Sequence, residues 1–186
     1  MFFRFSTKKT IQAVAVLLRL SGGPMGHLRL LKLLYIADRE HLRRAHRPIV
    51  GTRTVAMKNG PLHSEVYNLV KGEHLDDPLW SEHIRKHGYQ IELVKDPGRS
   101  ELSGAEVRTL SETFERYASM GEWDLVEVTH DFPEWLKNYP DESADTSCTI
   151  PFDDLLEALG IGGEKRRAVL ATLREEADMD RLFPRS

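Results

Sequence analysis

Cysteine is almost missing from this 186-residue chain, since Cys148 stands alone. A single thiol excludes an intrachain disulfide framework and a multi-cysteine zinc site. No apolar run approaches the ~20 residues needed to cross a bilayer. The start, Met1-Phe-Phe-Arg-Phe-Ser followed by Lys8-Lys9, lacks the long apolar core and small-residue cleavage site of a secretory signal. A cytoplasmic protein with no membrane partner is therefore expected. Also missing are the Gly-x-x-x-x-Gly-Lys-Ser/Thr and Gly-x-Gly-x-x-Gly loops that cradle phosphate, and the Gly-x-Ser-x-Gly elbow of serine nucleophiles. Acidic residues are scarce in one region only. Residues 1–72 hold 13 Lys and Arg against Asp38, Glu40 and Glu65, a surplus of ten positive charges. The remaining 114 residues hold 13 Lys and Arg against 26 acids, which brings the chain to a net charge of −3. Such a division either recruits an anionic partner or is neutralised when the halves pack together.

With 40% hydrophobic and 30% charged residues, the chain has an ordinary globular composition, long enough for one domain and a buried core. Ile11, Val14, Ala15 and Leu18 mark one face of a helix over Thr10–Leu20, closed by Gly22-Gly23-Pro24. A second helix spans Met25 to Ala45. Its segment from Leu28 to Ala37 is apolar on nearly every side, so it is expected to be a central helix covered all round. The β-branched residues of Ile49–Lys58 read as extended, followed by a turn at Asn59-Gly60-Pro61. A short helix is expected from Ser64 to Val70, a loop over His74–Pro78, a helical turn over Trp80–Lys86, and an edge strand at Tyr89–Leu93. Ser103-Gly-Ala-Glu106 is a capping box that opens a helix bearing Val107, Leu110, Phe114 and Tyr117. Short helices are expected at Trp123–Val128 and from Thr149-Ile-Pro-Phe-Asp-Asp to Leu159, with a mobile loop at Asp141–Ser147 between them. A last helix, Glu164–Ala177, offers Val169, Leu170 and Leu173 for burial. The fold class is mainly α (α+β): a compact multi-helix domain around a buried central helix, with a small two-stranded β element. Residues 1–160 form the domain, and residues 161–186 a C-terminal helix packed on it.

Candidate chemistry thins out under inspection. His83 and His87 have the i, i+4 spacing of two ligands on one helix face, but Ile84 stands where a metalloprotease motif needs its glutamate. Cys148 lies in a polar stretch without an activating base. Asp76-Asp77 and Asp153-Asp154 are adjacent carboxylates, which point about 100° apart on a helix and suit caps better than a metal clamp. No catalytic residue, metal or cofactor is expected. Lys32, Tyr35, Asp38 and Arg39 do share one face of the apolar second helix, so they must be partnered or line a binding surface. Two readings stand side by side. In one, Asp38 accepts hydrogen bonds from the Met57–Gly60 turn with Tyr35 packed against it; in the other, the row meets a partner. The run Arg39-Glu-His-Leu-Arg-Arg-Ala-His-Arg47 is either a solvated basic helix end or a phosphate-binding surface.

Three linked segments carry a resemblance. Lys32-Leu-Leu-Tyr-Ile-Ala-Asp38, Arg47-Pro-Ile-Val-Gly51, and Val55-Ala-Met-Lys-Asn-Gly-Pro61 with Glu65-Val-Tyr67 are similar to the SocA-like antitoxins with a Panacea domain. Leu102-Ser-Gly-Ala-Glu106, Leu125-Val-Glu-Val-Thr-His130, Trp135 and Thr149-Ile-Pro-Phe-Asp-Asp-Leu-Leu extend the similarity over roughly residues 8 to 160. The resemblance implies a helical protein-binding domain without catalysis. It also implies a cognate protein toxin encoded by a neighbouring gene, neutralised by direct binding, and in one branch delivered to a bacterial ATP-dependent protease. Some relatives lie in prophages. The alternative function is a DNA-binding regulator, or a phage-associated protein, that uses the basic N-terminal half. Tyr35, Asp38, Arg39, Arg43, Arg44, Lys58 and Tyr67 are the candidate partner-binding residues. Lys32, Gly51, Gly60, Pro61, His130 and Trp135 are assigned to holding the fold.

Overall fold

The computed structural model describes residues 5–72, 78–139 and 146–182. Helix α1 (Thr7–Ser21) begins where the Ser6 hydroxyl accepts the Lys9 amide and ends at Gly22 with φ +69°, the left-handed cap that glycine adopts without strain. After the two-residue strand β1 (Met25–Gly26) comes α2 (His27–Ala45), in which every residue from Leu30 to Asp38 is buried. A helix buried on all sides needs neighbours on all sides. Here they are α1, α5 (Gly104–Arg116), α6 (Glu122–His130) and the strand β3 (Gly60–His63). The capping box at Ser103 and Glu106 forms as the sequence requires, each side chain meeting the other's amide.

Among the described residues, two small three-stranded antiparallel sheets accompany the helices, so the β part is larger than one two-stranded element. In the first sheet, β2 (Thr54–Met57) pairs with β3 on one side and with β6 (Cys148–Thr149) on the other. Pro61 pairs opposite Ala56 on β3, an edge strand, where a residue without an amide proton is tolerated. The second sheet runs β1-β5-β4, with β4 at Ile84–His87 and β5 at Gln90–Leu93. The helical turn expected over Trp80–Lys86 is thus split, the helix α4 (Pro78–His83) stopping where β4 begins. The cause is tertiary: Ile84 is buried while Arg85, Lys86 and His87 are exposed and zip onto β5. His83 and His87 therefore share no helix face.

The short helices α3 (Ser64–Lys71), α7 (Pro133–Asn138) and α8 (Phe152–Ala158) follow β3, α6 and β6 in turn, with α9 (Gly163–Leu182) last. The main core joins α1, α2, α5 and α6. A second cluster forms where Val169 and Leu173 of α9 meet Leu155 and Leu156 of α8 and Leu42 near the end of α2. The class is mainly α with a minor β part. The loop expected at His74–Pro78, with Asp76-Asp77, and most of the loop expected at Asp141–Ser147 lie outside the described residues.

Candidate functional site

The polar row on α2 is spent inside the molecule. Lys32, fully buried, donates from Nζ to the Pro61 carbonyl at 2.8 Å. Three residues on, the Tyr35 hydroxyl donates to Glu134 Oε1 at 3.0 Å. Arg39 Nε donates to the same oxygen at 2.8 Å, and its guanidinium lies 4.2 Å from the Phe132 ring centre. Asp38 Oδ1 accepts the amides of Ile49 and of Val50, the latter at 2.9 Å. The expectation that Asp38 anchors the Met57–Gly60 turn is corrected here. Asp38 lies six residues beyond Lys32, about 9 Å further along the helix axis, so it reaches the 49–50 segment while Lys32 reaches the hairpin.

The hairpin turn is instead held from three sides. Besides Lys32, His130 Nε2 lies 3.1 Å from the Lys58 carbonyl, and Trp135 Nε1 donates to the Met57 carbonyl at 2.9 Å. The His130 and Trp135 rings stack at 4.1 Å. Gly60 has φ +90°, and a Cβ there would sit 2.5 Å from Thr129 Oγ1 and 2.9 Å from Lys32 Nζ. Only glycine suits that position. Gly51, at φ +62°, turns the chain after the segment that Asp38 holds.

Burial shapes the charge states of this interior. It pushes the Lys32 ammonium from 10.5 down to about 7. It also raises the Tyr35 phenol well above its ordinary value, with the Glu134 carboxylate adding to the effect. The His63 imidazole is lowered by burial, against the opposing pull of Asp38. His63 Nε2 lies 3.4 Å from Asp38 Oδ2, and neither ring nitrogen makes a hydrogen bond. Sequence reasoning passed over Glu134 and His63. Glu134 stands in the first turn of a short helix, where an acid looks like a dipole partner, and only its 1% exposure reveals a buried anchor.

The basic end of α2 is exposed but engaged. Arg43 pairs with Glu40 at 2.8 Å and Arg44 with Glu112 at 2.5 Å. Lys8, Lys9, Arg19 and Arg39 likewise meet Glu101, Glu106, Asp96 and Glu134. The uneven charge halves thus neutralise each other in part by packing together. Elsewhere, His83 Nδ1 lies 3.0 Å from the Lys95 carbonyl and His87 Nε2 3.0 Å from Glu92. Asp154, at the start of α8, accepts from Lys137 and Asn138. Cys148 is a half-buried strand residue opposite Ala56.

Of the candidate contact residues, Tyr35 and Asp38 are buried, Arg39 is nearly so, and Arg43 and Arg44 are exposed. Lys58 and Tyr67 line a groove of about 310 Å³ whose floor includes Leu28 and Leu31 and whose rim carries Tyr89 and Trp123. A second, apolar cavity of about 290 Å³ opens between Leu42, Pro48, Ile150 and Phe152, with Asp38 on its wall.

The comparisons agree with the sequence motifs. The family model described as "Antitoxin SocA-like, Panacea domain" matches residues 30–136. That span is more than half of the chain and runs from the first buried residues of α2 through Glu134 and Trp135. No curated protein and no solved structure matches. No described helix is long and apolar enough to cross a membrane. The chain belongs to the antitoxin SocA-like family, with the Panacea domain at residues 30–136.

Proposed function

We propose that this protein is the antitoxin of a toxin–antitoxin pair and neutralises a cognate protein toxin by holding it, without catalysis of its own. The family match over residues 30–136 carries the reading. The polar groups best placed for chemistry support it. Asp38, Glu134, Lys32 and Tyr35 are each committed to hydrogen bonds that tie helix to hairpin or helix to helix. Side chains so engaged serve position rather than turnover, and a rigid interior suits a protein whose task is recognition.

The test is co-expression with the protein encoded by the neighbouring gene, scoring growth and co-purification. A neighbour that arrests growth alone, and is harmless in a complex that co-purifies with this chain, is the expected result. A neighbour that is harmless alone and forms no complex would overturn the proposal. Delivery of the captured toxin to an ATP-dependent protease is the second half of the proposal. It requires the toxin's half-life in cells to shorten when this chain is present, and an unchanged half-life removes that half alone.

Binding to nucleic acid is the weaker reading, because five cations of the basic half, Lys8, Lys9, Arg19, Arg39 and Arg44, already face carboxylates of the acidic half. Were six or more phosphates contacted, affinity would fall by about 10³-fold or more between 50 and 200 mM salt. A mobility-shift assay on the upstream DNA reads this directly.

A further inference from the structure

The groove beside the β2–β3 turn sets two exposed aromatic rings next to an apolar floor. Trp123 is 61% exposed and Tyr89 80% exposed, and both stand on its rim. Tryptophan and tyrosine are the residues that most often dominate binding energy at protein interfaces, because they bury large apolar areas and lose few rotamers. Their exposure does not come from loose placement. Tyr89 is pinned through its carbonyl, which accepts the His27 amide at 2.8 Å, and its ring stacks on His27 at 5.7 Å. Trp123 sits in the first turn of α6, which is capped by the Asp124 carboxylate on the Gly121 amide. The Lys58–Asn59 turn between them is fixed by Lys32, His130 and Trp135 from below. A surface held this firmly loses little freedom on binding.

Charge narrows the occupant. Lys58 and Glu122 both line the groove, and neither side chain makes an ion pair or hydrogen bond among the described residues. This is the opposite of the basic end of α2, where Arg43 and Arg44 are already paired within the chain. An ammonium and a carboxylate left free for solvent beside an apolar floor favour a partner that brings the matching charges.

We propose that this groove is the toxin-docking surface, and that it receives a toxin segment presenting an apolar or aromatic side chain flanked by an acidic residue for Lys58 and a basic residue for Glu122. The inference rests on the antitoxin reading. It assigns the binding energy to Trp123 and Tyr89, the specificity to Lys58 and Glu122, and no direct part to Arg43 and Arg44.

The experiment measures the dissociation constant of the purified chain with the protein encoded by the neighbouring gene. It compares the wild type with Trp123→Ala, Tyr89→Ala, Lys58→Glu and the double variant Arg43→Glu with Arg44→Glu. Each variant's melting temperature is recorded alongside. Trp123→Ala is expected to weaken binding by about 30-fold or more, as a central interface anchor does. Lys58→Glu should weaken it by about tenfold with a lowered salt dependence, and the double arginine variant by less than about threefold. Trp123→Ala and Tyr89→Ala bound within twofold of wild type would overturn the docking surface while leaving the antitoxin reading in place. Absence of any wild-type complex would overturn both. A free wild-type chain that dimerises, and becomes monomeric with Trp123→Ala, would give the groove to a second copy of this chain and overturn its assignment to the toxin.

Discussion

The two ends of α2 carry similar side chains and use them in opposite ways. From Lys32 to Arg39 each polar group reaches inward to a defined partner on another segment: the hairpin, the 49–50 turn or Glu134. Beyond Arg39, the exposed Arg43 and Arg44 meet Glu40 and Glu112 at the surface. A charged pair in the interior cannot be lost without leaving a bare group behind, whereas a solvated pair falls back on water. The contrast separates residues whose loss the fold must feel from residues whose loss water can make good.

Substitutions should reproduce that ranking. Glu134→Ala removes the acceptor shared by Tyr35 and Arg39 and is expected to cost about 3–5 kcal/mol, the penalty for breaking a buried ion pair from one side. Urea unfolding monitored by circular dichroism measures it. Asp38→Ala leaves the Ile49 and Val50 amides without their acceptor, for about 1–3 kcal/mol by the same measurement. A neutral effect on stability with lost toxin binding would move Asp38 from the interior to the interface.

Lys32 gives a pH signature that surface lysines lack. Its folded-state value of about 7 lies below the ordinary value of 10.5 that the unfolded chain takes. Between those two values the unfolded chain holds the extra proton, so stability should rise with pH from about 7 to 10, by up to about 1.4 kcal/mol per unit. Lys32→Met should flatten that rise, and denaturant midpoints collected across this range will show it. Arg44→Ala, which breaks a solvated pair with Glu112, should change stability by less than about 1 kcal/mol. A larger loss there would erase the distinction between the two ends of the helix.

Much of this was legible in the residues. The face shared by Lys32, Tyr35, Asp38 and Arg39 follows from helical spacing alone, and Ser103-Gly-Ala-Glu106 announces the start of α5. Asn59-Gly60-Pro61 marks the hairpin, although the turn itself is Lys58-Asn59 and Gly60 already pairs with Met57. What stayed hidden depends on distant chain. β1 has two residues and exists only because β5 lies beside it. Ile84–His87 shows no alternation along its length, since its exposed residues are ordered by the strand next to it. Glu134 resembles any acid at a helix start until Tyr35 and Arg39 arrive from about a hundred residues away. The groove draws its walls from α2, the hairpin, α3, the β4–β5 turn and α6, and no single stretch of sequence carries its outline.

Neutralisation by binding alone can be read by mass spectrometry of the mixed partners. This chain and the protein encoded by the neighbouring gene would be combined, measured under native conditions, and measured again after denaturation. A complex of fixed ratio is expected, from which both chains are recovered at unchanged mass. Absence of a complex, or a recovered toxin whose mass has changed, would contradict it.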